Sequence, residues 1–453
     1  MDQLRGLLLL IEFILIVSPI IWVIWRKRGR SLDSFQPLIV FPLAFSVFYF
    51  FPEVYYFFFK DLWLIVQTKG LGDMTLFWSD VSLVSFYLGY FVATKLKPKF
   101  SLPLGYDISP KTLAKICVGM IAIAAISFFW FMSSTGGLVY YVTHQNDTIN
   151  LTSGKIYLVW GMLLLRTSFL LNFLRVLRQY QTKKLHGINK TLVILVIHGL
   201  LAAGILLAIG SRMLMLSFLI EALVLTHYAL RYIPLGRLLA LALAALAVFV
   251  ILFGAWRNYG WVRGEKDSSF FSYLTQDVKT NLGDRLFNFY FDSTRNFAFA
   301  LKYTGDGLPI QYGRTYLSLL VQPIPRAFRP SLTLPYGPQV NGLQCSTPKG
   351  GEFCGIDPLL SELYQNFYYF GIPVGLFLFG LMLGWSYRLL VLDWAADNFS
   401  YLIYGILVYA TFLWLRGAFV GHTSFILMDL VPLLLVLPFF KRDDSKLKAA
   451  AGT

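Results

Sequence analysis

The sequence predicts an all-α, polytopic integral membrane protein with about eleven transmembrane helices and one large extracytoplasmic insert that contains short helices. Most of the 453-residue chain is a succession of apolar runs, each about 20 residues long and so sufficient to cross a bilayer as a helix. Only 14% of the residues are charged, whereas soluble domains carry about 25%. The stretch 256–366 is the long exception, because it mixes Arg, Asp, Asn, Pro and Gly with aromatic residues.

The apolar runs define four predicted segments along the chain. Residues 1–255 form an N-terminal bundle of about eight spans, 256–366 the insert, 367–440 about three C-terminal spans, and 441–453 a cytoplasmic tail. The predicted spans are 5–25, 35–59, 78–94, 112–132, 157–177, 190–209, 213–230, 237–255, 367–390, 399–415 and 423–440. Arg26-Lys27-Arg28 follows the first run as a stop, so we expect a retained span and not a cleaved signal peptide.

Basic residues in alternate loops predict the orientation. These loops hold Arg26, Lys27, Arg28 and Arg30, then Lys95, Lys97 and Lys99, then Arg175, Arg178, Lys183 and Lys184, then Arg231 and Arg237, and finally Lys441, Arg442, Lys446 and Lys448. The positive-inside rule makes this set cytoplasmic, which places the N-terminus and the insert outside. The same loops explain the net charge of +15, and their dispersal disfavours nucleic-acid binding.

The insert begins with two predicted helices. Apolar residues recur at helical spacing from Phe271 to Leu282, and a second helix is predicted over 284–303. The second helix carries a polar stripe of Arg285, Asn288, Asp292 and Arg295, which faces either solvent or a substrate. After Gly313 the sequence is rich in proline, and we expect a shaped loop there.

The three cysteines have different expected roles. Cys345 and Cys354 lie close together in the external insert, where a disulfide would contribute about 2–3 kcal/mol to the order of the loop. Two free thiols are the alternative. A zinc site is disfavoured because no His or further Cys lies nearby. Cys117 falls within the fourth span and is expected to be a small apolar residue.

Arginines on the predicted outer side are the main functional signal. They are Arg212 at an outer turn, Arg257, Arg263, Arg314, Arg326 and Arg329 in the insert, and Arg416 at the outer end of the tenth span. Orientation does not explain them, because basic residues favour the cytoplasmic side. A guanidinium fork matches phosphate oxygens, so several such groups would bind a pyrophosphate and stabilise it as a leaving group. Interfacial snorkelling or pairing with nearby acids is the alternative.

An acid or base is harder to select from the sequence. Glu362 precedes the ninth span and His422 follows Arg416 by six positions, so either could accept a proton from a sugar hydroxyl. A hydrogen-bonded structural role for His422, and support of Arg326 by Glu362, are the alternatives. Five further ionisable residues fall inside spans, where such groups are functional or paired. They are Glu221 and Asp429, together with Glu12, Arg166 and His198, for which the sequence suggests no role.

Several common signatures are absent from the sequence. No external Asp-x-Asp pair suits a divalent metal, no glycine-rich nucleotide loop occurs, and no Gly-x-Ser-x-Gly elbow is present. These absences disfavour ATP-driven transport, nucleotide-sugar transfer and serine hydrolysis. We expect neither a metal nor a cofactor.

The layout and four short motifs resemble the Wzy-type oligosaccharide repeat-unit polymerases, which make O-antigen, enterobacterial common antigen and exopolysaccharides. The motifs are "GSR" opening the seventh span, "PIPRAFRP" in the insert, "SELYQNFYYFG" before the ninth span, and Arg416 after the tenth. The family tends to show an aromatic residue, a proline and then a basic residue after the Pro-Arg pair. Here Arg329 precedes Pro330, and Leu332 occupies the later position.

The resemblance implies an inverting, metal-independent glycosyltransferase of the bacterial inner membrane that faces the periplasm or exterior. It would join polyprenyl-pyrophosphate-linked saccharides, either alone or beside a chain-length regulator. Arg212, Arg326 and Arg416 would stabilise the pyrophosphate, and His422 or Glu362 would assist the acceptor hydroxyl. Substrate contacts would come from arginines, namely Arg257, Arg285, Arg295, Arg314 and Arg329, and from tyrosines that stack on sugar rings, namely Tyr290, Tyr312, Tyr336 and Tyr364.

Two other functions fit the same sequence. An O-antigen ligase shares the layout and the donor but passes the glycan to a lipid core. A transporter or flippase of lipid-linked saccharides would need polar residues along a path through many spans and related halves with broken helices. No internal repeat is present, and most of the singled-out polar residues gather on the predicted outer side.

Overall fold

A computed structural model of the chain describes most of the predicted spans and part of the insert. The described residues are 2–26, 32–59, 71–96, 106–107, 109–137, 155–181, 190–208, 212–247, 272, 275, 293–306, 308–321, 358–392, 398–439 and 441–442.

Almost all of the regular structure in this part of the chain is helical. The helices are α1 (Asp2–Arg26), α2 (Pro37–Phe45), α3 (Phe51–Phe59), α4 (Leu71–Lys95), α5 (Pro110–Ser134), α6 (Ile156–Gln181), α7 (Lys190–Ala208), α8 (Arg212–Ala229), α9 (Leu235–Ala247), α10 (Ser293–Tyr303), α11 (Arg314–Val321), α12 (Leu359–Phe367), α13 (Gly371–Tyr387), α14 (Asn398–Arg416) and α15 (Phe419–Val436). Two-residue strands β1 (Tyr106–Asp107) and β2 (Lys441–Arg442) pair antiparallel. A π-helical segment, Ser46–Phe50, joins α2 to α3, and another, Arg388–Leu392, follows α13.

Eight of the described helical segments are long and apolar enough to cross a membrane. They are Gln3–Arg26, Pro37–Phe58, Leu71–Lys95, Pro110–Ser134, Tyr157–Gln181, Leu359–Leu392, Asn398–Arg416 and Phe419–Phe439. Three shorter apolar helices, Lys190–Leu206, Leu216–Ala229 and Leu235–Ala245, occupy the places of the sixth to eighth predicted spans. The architecture is therefore that of an all-α multi-pass membrane protein, and the count of eleven spans stays a prediction.

The residue contacts divide the chain into two compact units. Unit 1 contains Met1–Pro98, Ile233–Trp385 and Ala410–Ser424. Unit 2 contains Lys99–Tyr232, Ser386–Tyr409 and Phe425–Thr453. Each unit draws on segments that are distant in sequence, and the four-segment domain prediction stays a prediction.

Helices α4 and α13 pack very closely in unit 1. A Cβ added to Gly89 would come within 1.9 Å of the Phe377 carbonyl oxygen, and one added to Gly380 within 2.1 Å of the Phe86 carbonyl oxygen. Small residues allow two helix backbones to approach in this way. The two helices run in the same direction, because Tyr369 stacks on Trp78 near their N-termini, whereas Gly384 faces Ala93 near their C-termini.

The part of the insert that the structure describes is more helical than the sequence suggested. Tyr312 and Gly313 turn the chain with φ of 48° and 79°, and α11 begins at the next residue. The prediction of a loop after Gly313 is therefore wrong at the two places where the structure has helices, α11 and α12. The prolines that motivated it lie in 322–357, outside the described residues, and the apolar residues of Arg314–Val321 suffice for two helical turns.

In unit 2, α5 and α6 share a core of Phe131, Met132, Val159 and Met162. Cys117 is buried on α5, with its Sγ 3.5 Å from the Ser168 carbonyl oxygen. The prediction of a small apolar residue at this position fits its burial. His198 lies with Nε2 3.0 Å from the Ser168 hydroxyl, which is the hydrogen bond expected of a structural histidine.

A buried ionic triad joins three helices of unit 2. Arg166 on α6 binds Glu221 on α8 through Nη2 and through Nε, the latter at 3.3 Å. Its Nη1 lies 3.0 Å from Oδ2 of Asp429 on α15, and its guanidinium stacks 5.6 Å from the centre of the Tyr409 ring. The sequence indicated that Glu221 and Asp429 are functional or paired, and the structure pairs both with Arg166.

Candidate functional site

The candidate site of unit 1 is built around the carboxylate of Glu362, which α12 carries into the protein interior. Glu362 is fully buried. Its Oε2 accepts the backbone N–H of Val420 at 3.4 Å, so the carboxylate caps the N-terminus of α15. The first N–H groups of a helix have no partner within the helix and carry partial positive charge, which makes this a favourable place for an anion.

Two further side chains fix the Glu362 carboxylate. The Thr315 hydroxyl donates to Oε1 at 3.1 Å, and the Asn366 amide donates to the Thr315 hydroxyl at 2.7 Å and to the Glu362 carbonyl at 2.8 Å. We call Thr315, Glu362, Asn366 and the N–H of Val420 the Glu362 cluster. It ties α11 and α12 to the start of α15, and all three of its side chains are buried.

Tyr316 lies beside this cluster and was not identified from the sequence. Its hydroxyl is buried without a hydrogen-bond partner among the described residues, and its ring stacks with Phe367 at 5.9 Å. Burial, and then the charge of Glu362, raise the pKa of Tyr316 well above its ordinary value. The hydroxyl therefore keeps its proton and remains a hydrogen-bond donor.

Arg416 and His422 flank the helix end that Glu362 caps. Arg416 is the last residue of α14 and lies four positions before Val420, and His422 lies two positions after it. Both side chains are half-buried, and the Arg416 charge acts on the His422 imidazole. The His422 Nδ1 lies 3.0 Å from the Ala418 carbonyl oxygen. A carbonyl can only accept, so Nδ1 carries the proton and, in the neutral ring, Nε2 carries the lone pair.

Helix α10 of the insert holds the end of α14 in place. The Ser293 hydroxyl donates to the Arg416 carbonyl at 3.4 Å. The neighbouring Thr294 hydroxyl donates to the Tyr49 carbonyl at 3.2 Å, and the Tyr49 hydroxyl donates to the Leu415 carbonyl at 3.2 Å. These bonds place the start of α10 against the same end of unit 1 as the Glu362 cluster.

Only some of the tyrosines and arginines predicted to contact substrate lie near the Glu362 cluster. Tyr364 is buried against the rings of Tyr368 and Tyr369, so it belongs to an aromatic core. Tyr312 is 77% exposed at the turn before α11. Arg314 is exposed at the first position of α11, and Arg295 is half-buried on α10.

An apolar groove lies next to this aromatic core. Its volume is about 510 Å³, and it is lined by Leu4 and Leu8 of α1, by Asp73, Met74, Phe77 and Trp78 of α4, and by Tyr369. Tyr369 joins the two features, because its ring lies 5.4 Å from Trp78 and 5.3 Å from Tyr364. Asp73 is the one charged residue of the lining.

Several predicted residues lie outside the described part of the chain. They are Arg257, Arg285, Arg326, Arg329, Tyr290, Tyr336, Cys345 and Cys354. Arg212 is the first residue of α8 in unit 2, but its side chain is not described. The convergence of Arg212, Arg326 and Arg416, and the disulfide, therefore stay predictions.

The described residues contain no group of three or more His, Cys, Asp or Glu side chains that could hold a metal ion. The expectation of a metal-independent site stays a prediction. Comparisons of the chain with protein-family models, curated protein sequences and solved structures gave no match.

Proposed function

We propose that this protein is a membrane glycosyltransferase that polymerises polyprenyl-pyrophosphate-linked oligosaccharide repeat units at the extracytoplasmic face of the bacterial inner membrane. The proposal rests on the motif resemblance and on one structural observation. Glu362 belongs to one segment that the sequence singled out, and it caps the N-terminus of α15 between Arg416 and His422, which belong to another.

The geometry supports a different role for each of the three residues. Arg416 would contact the pyrophosphate and, with Arg212 and Arg326, stabilise its charge as it leaves. His422 would accept the proton of the acceptor hydroxyl at Nε2. Glu362 is a positioning residue, because its carboxylate is occupied by Thr315 and by the N–H of Val420. The bond from the anomeric carbon to the pyrophosphate oxygen breaks as the bond to the acceptor oxygen forms.

The apolar groove supports a lipid-linked substrate. A polyprenyl chain is a flexible hydrocarbon, and a groove lined by Leu, Met, Phe and Trp side chains would bury it. The ring contacts from Trp78 through Tyr369 to Tyr364 lead from this groove towards α12, which carries Glu362. A carrier lipid in the groove would therefore hold its head group near the candidate site.

A transporter of lipid-linked saccharides is a second candidate, favoured by ionisable groups in the spans. Glu12 and Asp80 of unit 1, and Arg166 and Asp429 of unit 2, are buried well inside helices that could cross a membrane. These residues lie inside the helices and not among the polar groups of the predicted outer side. Movement of repeat units across proteoliposome membranes would separate this candidate from the polymerase.

The test uses the purified full-length protein in nanodiscs with purified lipid-linked repeat units. A ladder of glycan lengths is expected, and product only after addition of a lipid-core acceptor would indicate a ligase. R416A should lower the rate of chain extension by about 10²-fold or more, because a charge contact to the leaving group is lost. R416K should restore little of the rate of chain extension, because lysine lacks the planar guanidinium fork that matches phosphate oxygens.

R237A is the matched control, since Arg237 is exposed on α9 and is predicted to face the cytoplasm. It should extend chains at the wild-type rate. An R416A protein that is folded and makes the full ladder would contradict the proposal.

A further inference from the structure

Three carboxylic acids from three helices lie together inside the spanning region of unit 1. Glu12 belongs to α1, Glu53 to α3 and Asp80 to α4. Glu12 and Glu53 are fully buried, and Asp80 is more than nine-tenths buried. Glu12 interacts electrostatically with both of the others. The sequence suggests no role for Glu12, and the proposed glycosyl transfer does not use it.

Glu53 is satisfied by its neighbours. Its Oε2 accepts a hydrogen bond from Arg5 Nη2 at 2.9 Å, and its Oε1 accepts one from the Thr75 hydroxyl at 3.0 Å. Asp73 is a further charged group that acts on it. The Arg5–Glu53 pair is neutral as a unit, so it does not balance the other two acids.

Glu12 and Asp80 are in a different situation. All four of their carboxyl oxygens are buried and have no hydrogen-bond partner among the described residues. An unpaired carboxylate in such a place is very unfavourable, whereas a neutral carboxylic acid is tolerated. We propose that Glu12 and Asp80 form a proton-binding site within the membrane-spanning helices of unit 1.

The ligand is a proton and not a metal ion. A hard cation needs several oxygen ligands at short distance, and the described residues hold no group of three or more His, Cys, Asp or Glu side chains with that geometry. Two neighbouring acids with no other partner can each hold a proton.

Polar groups lead from the surface of unit 1 to this site. The Arg5 side chain is 17% exposed, and it contacts Glu53 directly. Glu12 lies two helical turns farther along α1, or about 10 Å, and Asp80 lies five residues beyond Thr75 on α4. In the proposal, protons exchange from the end of the unit where α1 begins.

The pH dependence of unfolding tests the site. An acid that is protonated in the folded state and ionised in the unfolded state releases its proton on unfolding. Its stabilisation is complete below the ordinary carboxyl pKa and is lost as the pH rises. Between about pH 6 and pH 8, each retained proton should raise the unfolding equilibrium constant about tenfold per pH unit.

The measurement is detergent-induced unfolding of the full-length protein in mixed micelles. The quantity to compare is the slope of the logarithm of the unfolding equilibrium constant against pH. E12Q and D80N should each lower this slope by about one decade per pH unit, and the double variant by about two. D306N is the control, because Asp306 is exposed and should leave the slope unchanged. Wild-type slopes in both E12Q and D80N would overturn the proposal.

Infrared spectra at neutral pH provide a second readout that does not depend on unfolding. Wild-type protein should show carbonyl absorption of protonated carboxylic acids that is reduced in E12Q and in D80N and retained in D306N. No reduction in either variant would overturn the proposal. Na⁺ and K⁺ are also compared at equal ionic strength. If Na⁺ stabilises the wild type more than K⁺ does, and E12Q shows no such difference, the ligand of the site would be a metal cation and not a proton. None of these outcomes depends on chain extension.

Discussion

The side chain of Glu362 illustrates how one buried carboxylate can organise several helices. It receives a hydroxyl from α11 and a backbone N–H from α15 while it belongs to α12. The N–H groups at a helix start and the Thr315 hydroxyl all favour a negative acceptor. Loss of the charge should therefore loosen the contact between α12 and α15, and with it the placement of Arg416 and His422.

We expect E362Q to lower the free energy of unfolding by about 1–3 kcal/mol. The carboxylate accepts hydrogen bonds at both oxygens, whereas glutamine replaces one of these oxygens with an NH₂ donor. That NH₂ group would face either the Thr315 hydroxyl or the Val420 N–H, and both of these are donors. Detergent unfolding of the purified protein measures this change. T315S keeps the hydroxyl that donates to Glu362 and is the matched control, with a smaller expected loss. E362Q as stable as the wild type would show that the cap contributes nothing.

Single residues also show what the sequence could reveal about the site. Glu362 and His422 could be identified because polar groups beside predicted spans are conspicuous. Thr315, Tyr316 and Asn366 could not, because a hydroxyl or an amide carries no signal until tertiary structure places it near a charge. The sequence also could not identify the two partners of Arg166, because Glu221 and Asp429 are 55 and 263 positions away in the chain.

At the scale of helices, the contact between α4 and α13 depends on glycine. A methyl group at Gly89 would meet the backbone of Phe377, which cannot move aside as a flexible side chain can. We expect G89A to lower the free energy of unfolding by about 1–3 kcal/mol. Thermal or detergent unfolding measures it.

G119A is the matched control for this substitution. Gly119 lies within α5, and a Cβ there would meet nothing within 4 Å. Alanine favours a helix over glycine by about 1 kcal/mol, so G119A should be as stable as the wild type or slightly more stable. Equal effects of the two substitutions would mean that close packing of α4 on α13 is not what Gly89 provides.

The ionic triad of unit 2 makes a prediction about three helices at once. R166M leaves Glu221 and Asp429 buried without their cation, and we expect a loss of about 3–5 kcal/mol in the free energy of unfolding. Replacement of all three residues together, as in R166M/E221L/D429L, should recover most of the loss, because no charge is then buried. Unfolding measurements on the two variants test this. A triple variant less stable than R166M would contradict the explanation.

The helices that the sequence predicted best are the long apolar ones, because length and composition alone identify them. Helices α11 and α12, of eight and nine residues, were missed because neighbouring proline- and glycine-rich sequence suggested a loop. The break at Tyr368, with φ of 56°, also has no local signal. An aromatic residue in that conformation is held there by the surrounding structure.

For the whole molecule, the positive-inside rule predicts which surfaces face the cell exterior. Asp306 in the insert and Arg237 on α9 are both exposed side chains of described residues. In a protein whose three native cysteines are replaced by serine, D306C should react with a membrane-impermeant maleimide in intact spheroplasts. R237C should react only after permeabilisation. The reverse pattern would invert the topology and place the insert in the cytoplasm.

The shared direction of α4 and α13 limits how often the chain can cross the bilayer. Two spans that point the same way must be separated by an odd number of crossings, because each crossing reverses the direction of the chain. The long helices α5 and α6 supply two. If both of these helices cross, at least one further segment between Gln181 and Pro358 is expected to traverse the lipid, and the three short apolar helices α7, α8 and α9 together would make the parity odd.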